Sequence, residues 1–244
     1  MNFDLTQLAT IWVVVIMASI LRAFTGFGFA LAAVPALSLF LLPSEAVVLS
    51  AALVLSISLI NRHAISEHVA MRPLVPLMVW TVIGTVLGVV LLTWISPRWF
   101  RLTAGLAVLI ACVALLARPS QTPINRGFKG LFGLTAGIMN GFLAMPGPPM
   151  LIYAMLTEPD LKRTRALMHL MLMGSATLVL LSYFSVGYLS YQIVQYYLLA
   201  LPIMILGDKL GSHLFQLYGA EMYRKVALLL LFTVGIAAIV SSFN

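Results

Sequence analysis

Long stretches without a single charged side chain dominate this chain. No Asp, Glu, Lys or Arg occurs in residues 5–21, 23–44, 46–61, 73–97, 102–117, 130–157, 166–207 or 226–244. A helix needs about 20 apolar residues to cross the hydrocarbon core. With no water there to satisfy the backbone, such stretches must be helical. The run 166–207 is about twice the needed length, so it must turn, and VGYLSYQ at 186–192 is the place. Charged residues make up 9% of the chain, against about 25% in soluble domains, which leaves no room for a soluble domain. The expected fold class is an all-α polytopic membrane protein, with regular spans near 46–62, 73–95, 99–117, 164–185, 191–218 and 222–241. A net charge of +7 on short loops between apolar segments points to topology rather than nucleic acid. The N-terminus MNFDLTQLAT lacks the basic region of a signal peptide.

Two regions do not fit as simple spans. Residues 5–42 are broken by RAFTGFG, and 128–157 by NGFLAMPGPPM. Each reads as two roughly half-length helices around a break. Glycine lets the chain bend, and proline removes a backbone donor. At membrane depth such breaks are tolerated where they are buried in protein or line a cavity. Arg22 sits at the first break, and an arginine at the bilayer centre costs about 2.5–3.5 kcal/mol on insertion scales.

The two regions also head similar halves. RAFTGFG lies over NGFLAMPG, placing Arg22 against Asn140 and Phe24 against Phe142. GTVLG at 84–88 lies over GDKLG at 207–211, and SPRWFR at 96–101 over GAEMYRK at 219–225. Residues 1–123 and 124–244 are read as two transmembrane repeats. If both broken segments enter and leave on one face, Arg62, Arg72, Arg118, Arg126, Lys129, Lys162, Arg163, Arg165, Arg224 and Lys225 share a side. Only Arg98 and Arg101 then lie opposite. Full crossings divide the same residues almost evenly, so the positive-inside rule favours hairpins. Each repeat is then a re-entrant segment plus three transmembrane helices. The repeats are inverted copies, a common transporter plan, and both termini lie on the non-cytoplasmic side.

Half-helix ends at membrane depth carry unpaired backbone groups, and free N–H groups at an N-terminus attract anions. Gly26 and Gly28 permit close backbone approach. Pro146, Gly147, Pro148 and Pro149 end one half-helix and aim the next. Arg22 adds planar donors suited to oxyanions. The expected binding residues are Arg22, Thr25, Gly26, Phe27, Gly28, Asn140, Phe142, Pro146, Gly147 and Pro148. Phe27 and Phe142 are placed to pack on the substrate's carbon part or close the site. Arg22 has a second reading, as a structural partner of an acid such as Asp208. Asp208 and Lys209 either neutralise structural charge or serve coupling, the aspartate carrying a proton. GTVLG and GDKLG are GxxxG patterns that bring helices close.

Other chemistry finds little footing. There is no G-x-S-x-G, H-E-x-x-H or P-loop, so no enzyme activity is expected. His63 and His68 in HAISEH are one residue too far apart for an inverzincin motif. TGFGFAL is no dinucleotide fingerprint. Neither a cofactor nor a metal is expected, Cys112 is a lone thiol, and the thirteen methionines read as packing.

At its two broken segments the chain resembles the TauE/SafE family, the toluene-sulfonate uptake permease group. The resemblance lies in RAFTGFGFALAAVPALSLFLLPSEAVVLSAALVLS and GLTAGIMNGFLAMPGPPMLIYAML. Many relatives carry a more glycine-rich first motif, where this chain has TGFGFAL. The resemblance implies a bacterial inner-membrane carrier for sulfite, organosulfonates or related small anions, with Arg22–Gly28 and Asn140–Pro149 as the site region. The expected partners are that small anion, membrane lipid and a coupled proton or other ion, with no nucleic acid. An anion channel of the same architecture and, behind it, a membrane-embedded enzyme are the alternatives.

Overall fold

The computed structural model describes residues 5–26, 28–61, 74–116, 126–157 and 161–243. Phe27, Arg62, His63, His68, Arg72 and Arg118, singled out above, lie outside these residues. The described chain is helical: α1 Leu5–Thr25, α2 Phe29–Leu37, α3 Pro43–Ile60, α4 Val75–Trp94, α5 Pro97–Leu116, α6 Arg126–Leu143, α7 Gly147–Thr157, α8 Leu161–Ser185 and α9 Tyr191–Ser241. Gly219, at φ 74° and ψ 171°, divides α9 into limbs 191–218 and 220–241. Counted with both limbs, the described residues form ten helices and no strand. Windows in α1, α3, α4, α8 and the first limb of α9 are long and apolar enough to cross a membrane. The expected regular spans coincide with α3, α4, α5, α8 and the two limbs of α9, and the expected turn falls at 186–190.

The broken segments differ from the half-length pairs expected. In both, a long first helix is followed by a short one: α1 then α2, α6 then α7. Residues 5–25 contain no glycine or proline, so the first helix runs on past Arg22 and stops only where Gly26 turns left-handed, at φ 78°. The short α2 is buried from Phe29 to Pro35 and again at Leu37. A helix apolar all round belongs inside a bundle. Pro43 opens α3 in the first turn, where its missing N–H is harmless, and Glu45 Oε2 accepts the Leu42 N–H at 3.0 Å. Ser190 caps α9 by accepting the Ile193 N–H at 3.3 Å.

Two parallel helix pairs form the frame. The first limb of α9 runs along α1: Tyr196 Oη donates to Gln7 Oε1 at 3.0 Å, Gly207 faces Ile16 and Ser19, and Gly211 faces Ile20 and Ala23. In the same way α4 runs along α6, with Gly133 against Leu77 and Trp80, Gly137 against Thr81 and Gly84, and Gly141 against Thr85 and Val89. These are close approaches of backbone to backbone, the role that small residues play between membrane helices. A Cβ on Gly207 or Gly211 would meet the Cβ of Ser19 or Ala23 at 2.7 Å.

Hydrogen bonds fix which helix ends gather. Arg101 Nε, at the start of α5, donates to Ser38 O beyond α2 at 2.9 Å, and its Nη1 to Ser241 O at the end of α9 at 3.5 Å. Tyr183 Oη, near the end of α8, donates to Gly141 O near the end of α6 at 2.9 Å. The turn from α4 to α5 and the turn from α8 to α9 therefore lie at one end of the bundle. There α1 begins and α2 finishes. At the other end α6 begins and α7 finishes.

Packing this close predicts a sharp difference between glycines. A Cβ on Gly88 would strike the backbone of Ile138 and Phe142, while one on Gly174 would meet only Met78 Cε at 3.5 Å. Gly88→Ala is expected to destabilise by about 1–3 kcal/mol through overpacking. Gly174→Ala should be neutral or stabilising by up to about 1 kcal/mol, because alanine is the better helix former. Thermal unfolding of both variants in one detergent checks this.

Candidate functional site

Both breaks use the same backbone device. The Gly26 N–H donates to Arg22 O at 2.7 Å, and the Ala144 N–H donates to Asn140 O at 2.8 Å. Both closing residues have positive φ, 78° at Gly26 and 52° at Ala144. Glycine takes this conformation freely, whereas the left-handed region costs an alanine about 1–2 kcal/mol. The spacing from Arg22 to Gly26 equals that from Asn140 to Ala144, so the two polar side chains hold matching places one turn before the break.

Their partners match as well. Arg22 Nη1 donates to Asp208 Oδ1 at 2.7 Å, forming an ion pair between α1 and α9. Asn140 Nδ2 donates to Thr85 Oγ1 at 3.3 Å, joining α6 to α4. Asp208 follows Gly207 in GDKLG, and Thr85 follows Gly84 in GTVLG. Close helix contact and polar contact are thus built from one motif in each place. One contact is charged and the other neutral.

A third helix supports each contact. Asn61, at the end of α3, donates its Nδ2 to Asp208 Oδ2 at 3.2 Å. In the second contact Asn140 Nδ2 donates to Ser175 O of α8 at 2.8 Å. Arg22 is 4% exposed, yet only one of its terminal amino groups is used: Nη2 is buried with no hydrogen-bond partner among the described residues. An unmet donor on a buried charged group is costly. A cavity of about 10 Å³, close to the size of one water, lies beside the second break. Asn140, Ala144, Met145, Pro146 and Gly147 line one side, with Ala30 and Leu31 of α2, Ala51 and Val54 of α3, and residues of α8 around the rest. The buried first turn of α2 thus borders the cavity.

Of the residues expected from sequence, Asn140, Pro146 and Gly147 line this cavity. Arg22 lies at the matching break of the first half, apart from that lining. Gly26 forms the turn itself, with open space where a Cβ would sit, and Gly28 caps α2. Thr25 is the last residue of α1, and Phe27 lies outside the described residues. Phe142 is buried, its ring edge-to-face on Phe100 of α5 at 5.6 Å, a packing contact between helices. Pro148 stands in the first turn of α7 beside Pro149, and neither has an N–H to give. Asp208 binds Arg22, and its neighbour Lys209 is exposed. Sequence reasoning did not single out Thr85, Asn61, Ser175 or Tyr183. Thr85 and its counterpart Asp208 share a place in the two GxxxG motifs, and that alignment was the available signal.

The ion pair sets a clear expectation. Arg22→Gln leaves the half-buried Asp208 beside a neutral group and should destabilise the fold by about 1.5–3 kcal/mol. The double variant Arg22→Gln/Asp208→Asn should recover most of that loss, which a double-mutant cycle of unfolding free energies would measure.

A family model described as sulfite exporter TauE/SafE matches residues 11–238, nearly the whole chain. No curated protein and no solved structure matches.

Proposed function

Since this chain belongs to the sulfite exporter TauE/SafE family, we propose that it is a secondary carrier that moves a small sulfur-containing oxyanion, sulfite or an organosulfonate, across a bacterial inner membrane by alternating access. The observation that carries this reading is the half-used guanidinium of Arg22: buried, held by Asp208 through Nη1, and open at Nη2. An oxyanion oxygen at Nη2 supplies the missing acceptor. Arginine offers it a planar fork, stronger than a neutral donor. Gly26, with open space beside it, lets the ligand approach the backbone. Sulfur itself enters through the family alone.

The matching breaks support two inverted repeats, residues 1–123 and 124–244. Each contributes a hairpin, α1–α2 or α6–α7, opening toward opposite ends of the bundle. The clustering of Gln7, Ser38, Arg101 and Ser241 toward one end supports placing both termini on one side of the membrane. The loop cations favour the non-cytoplasmic side for them. We read the one-water cavity between the α6–α7 break and α2 as the occluded form of the carrier's passage. Movement of one hairpin set against the frame then widens it toward one side or the other.

Reconstituted vesicles decide between carrier and channel. Vesicles preloaded with unlabelled sulfite or a two-carbon sulfonate should accumulate the labelled anion transiently against its gradient, and uptake should saturate. Flux that neither saturates nor shows counterflow would make the protein a channel.

A further inference from the structure

Among the described residues, three buried side-chain atoms on α1 and α3 stand without a hydrogen-bond partner: Arg22 Nη2, Ser50 Oγ and Ser58 Oγ. The two serines are unusual for their setting. Hydroxyls in membrane helices commonly turn back onto their own helix, and Ser19, Ser56, Thr81 and Ser175 do so here, each donating to a carbonyl three or four residues earlier. Ser50 is 0% and Ser58 3% exposed, so bulk water does not satisfy them either.

Their position on α3 gives the reason. Ala51, Val54, Ser58 and Asn61 follow one another at helical spacing and share a face. The first two line the cavity at the α6–α7 break, and the last holds Asp208 on Arg22. Ser58 is therefore one turn from the cavity on one side, about 6 Å along the helix from Val54, and one turn from the ion pair on the other, about 4.5 Å from Asn61. Ser50 directly precedes Ala51, so along α3 the two serines bracket the residues that line the cavity.

We infer that this face of α3 is the wall of the anion's route, with the Ser58 and Ser50 hydroxyls as binding groups that pass the oxyanion between Arg22 and the cavity beside Asn140. The inference rests on the anion-carrier reading and adds to it two binding residues and a path. A hydroxyl suits this step because it donates to an anion without a fixed charge that would trap it. Arg22 supplies the one strong point of attachment, and the serines supply weaker stations on either side of the cavity. In the closed state each donor lacks an acceptor, and the passing anion provides it.

Thiol labelling tests the path separately from the substrate. Ser58→Cys, and independently Ser50→Cys, are made in a Cys112→Ala background, and membranes are treated with 2-sulfonatoethyl methanethiosulfonate and with its cationic trimethylammonium analogue. The native Cys112, buried on α5, is the control in the unmodified chain. Both new thiols should react about ten-fold or more faster than Cys112, since the reagents attack thiolate reached through water. Ethanesulfonate should slow both. Thiols at 58 and 50 as unreactive as Cys112 toward both reagents would overturn the path. Rapid labelling that ethanesulfonate leaves unchanged would uphold an aqueous path along α3 and overturn the sulfonate reading.

Discussion

The ion pair between buried Arg22 and half-buried Asp208 is the contact around which this bundle is organised. A lone arginine cannot be left in hydrocarbon, and the chain brings a carboxylate to it from 186 residues away. With it α9 lies against α1 from Tyr196 to Gly211. Gly207 and Gly211 make this possible by removing the side chains that would hold the helices apart. Asn61 then ties α3 to the same carboxylate. Three helices distant in sequence meet at one charged group, and the order of packing follows from satisfying it.

The same architecture recurs without charge on the other side. Asn140 and Thr85 occupy the places of Arg22 and Asp208, on helices brought together by Gly84, Gly88, Gly137 and Gly141. In the neutral pair both hydrogens of the Asn140 amide nitrogen are used, on Thr85 and Ser175. A guanidinium with five donors is harder to exhaust, and Nη2 is left over. On the proposed carrier reading, this difference makes the first break the place for the anion and leaves the second break, with its cavity and its prolines, to shape the passage.

Much of this plan could be read from residue order because membrane helices advertise themselves. The spans followed from charge-free runs, the two breaks from Gly and Pro, and the matched positions of Arg22 and Asn140 from a weak alignment that the spacing to Gly26 and Ala144 reproduces. The unequal lengths of the paired helices were hidden, since RAFTGFG as a whole marks a break without saying that the helix runs on through Thr25 to Gly26. Ala144 gives no signal for a left-handed residue, because alanine is a strong helix former. Ser50 and Ser58 were illegible for another reason: in a membrane helix a hydroxyl is ordinarily absorbed by its own backbone. Only the packing reveals which ones are not.

The most direct measurement is the thermal stability of the purified protein against sulfite, two-carbon sulfonates, matched carboxylates and chloride, with Arg22→Gln/Asp208→Asn beside wild type. The double variant keeps a neutral pair at the break, so its folding is not the variable. Sulfite or the sulfonates at about a hundred times their dissociation constant should stabilise wild type by about 2.7 kcal/mol. They should do so selectively and leave the double variant unmoved. Equal stabilisation of both proteins, or none by any anion, would contradict the account and return Arg22 to a purely structural role.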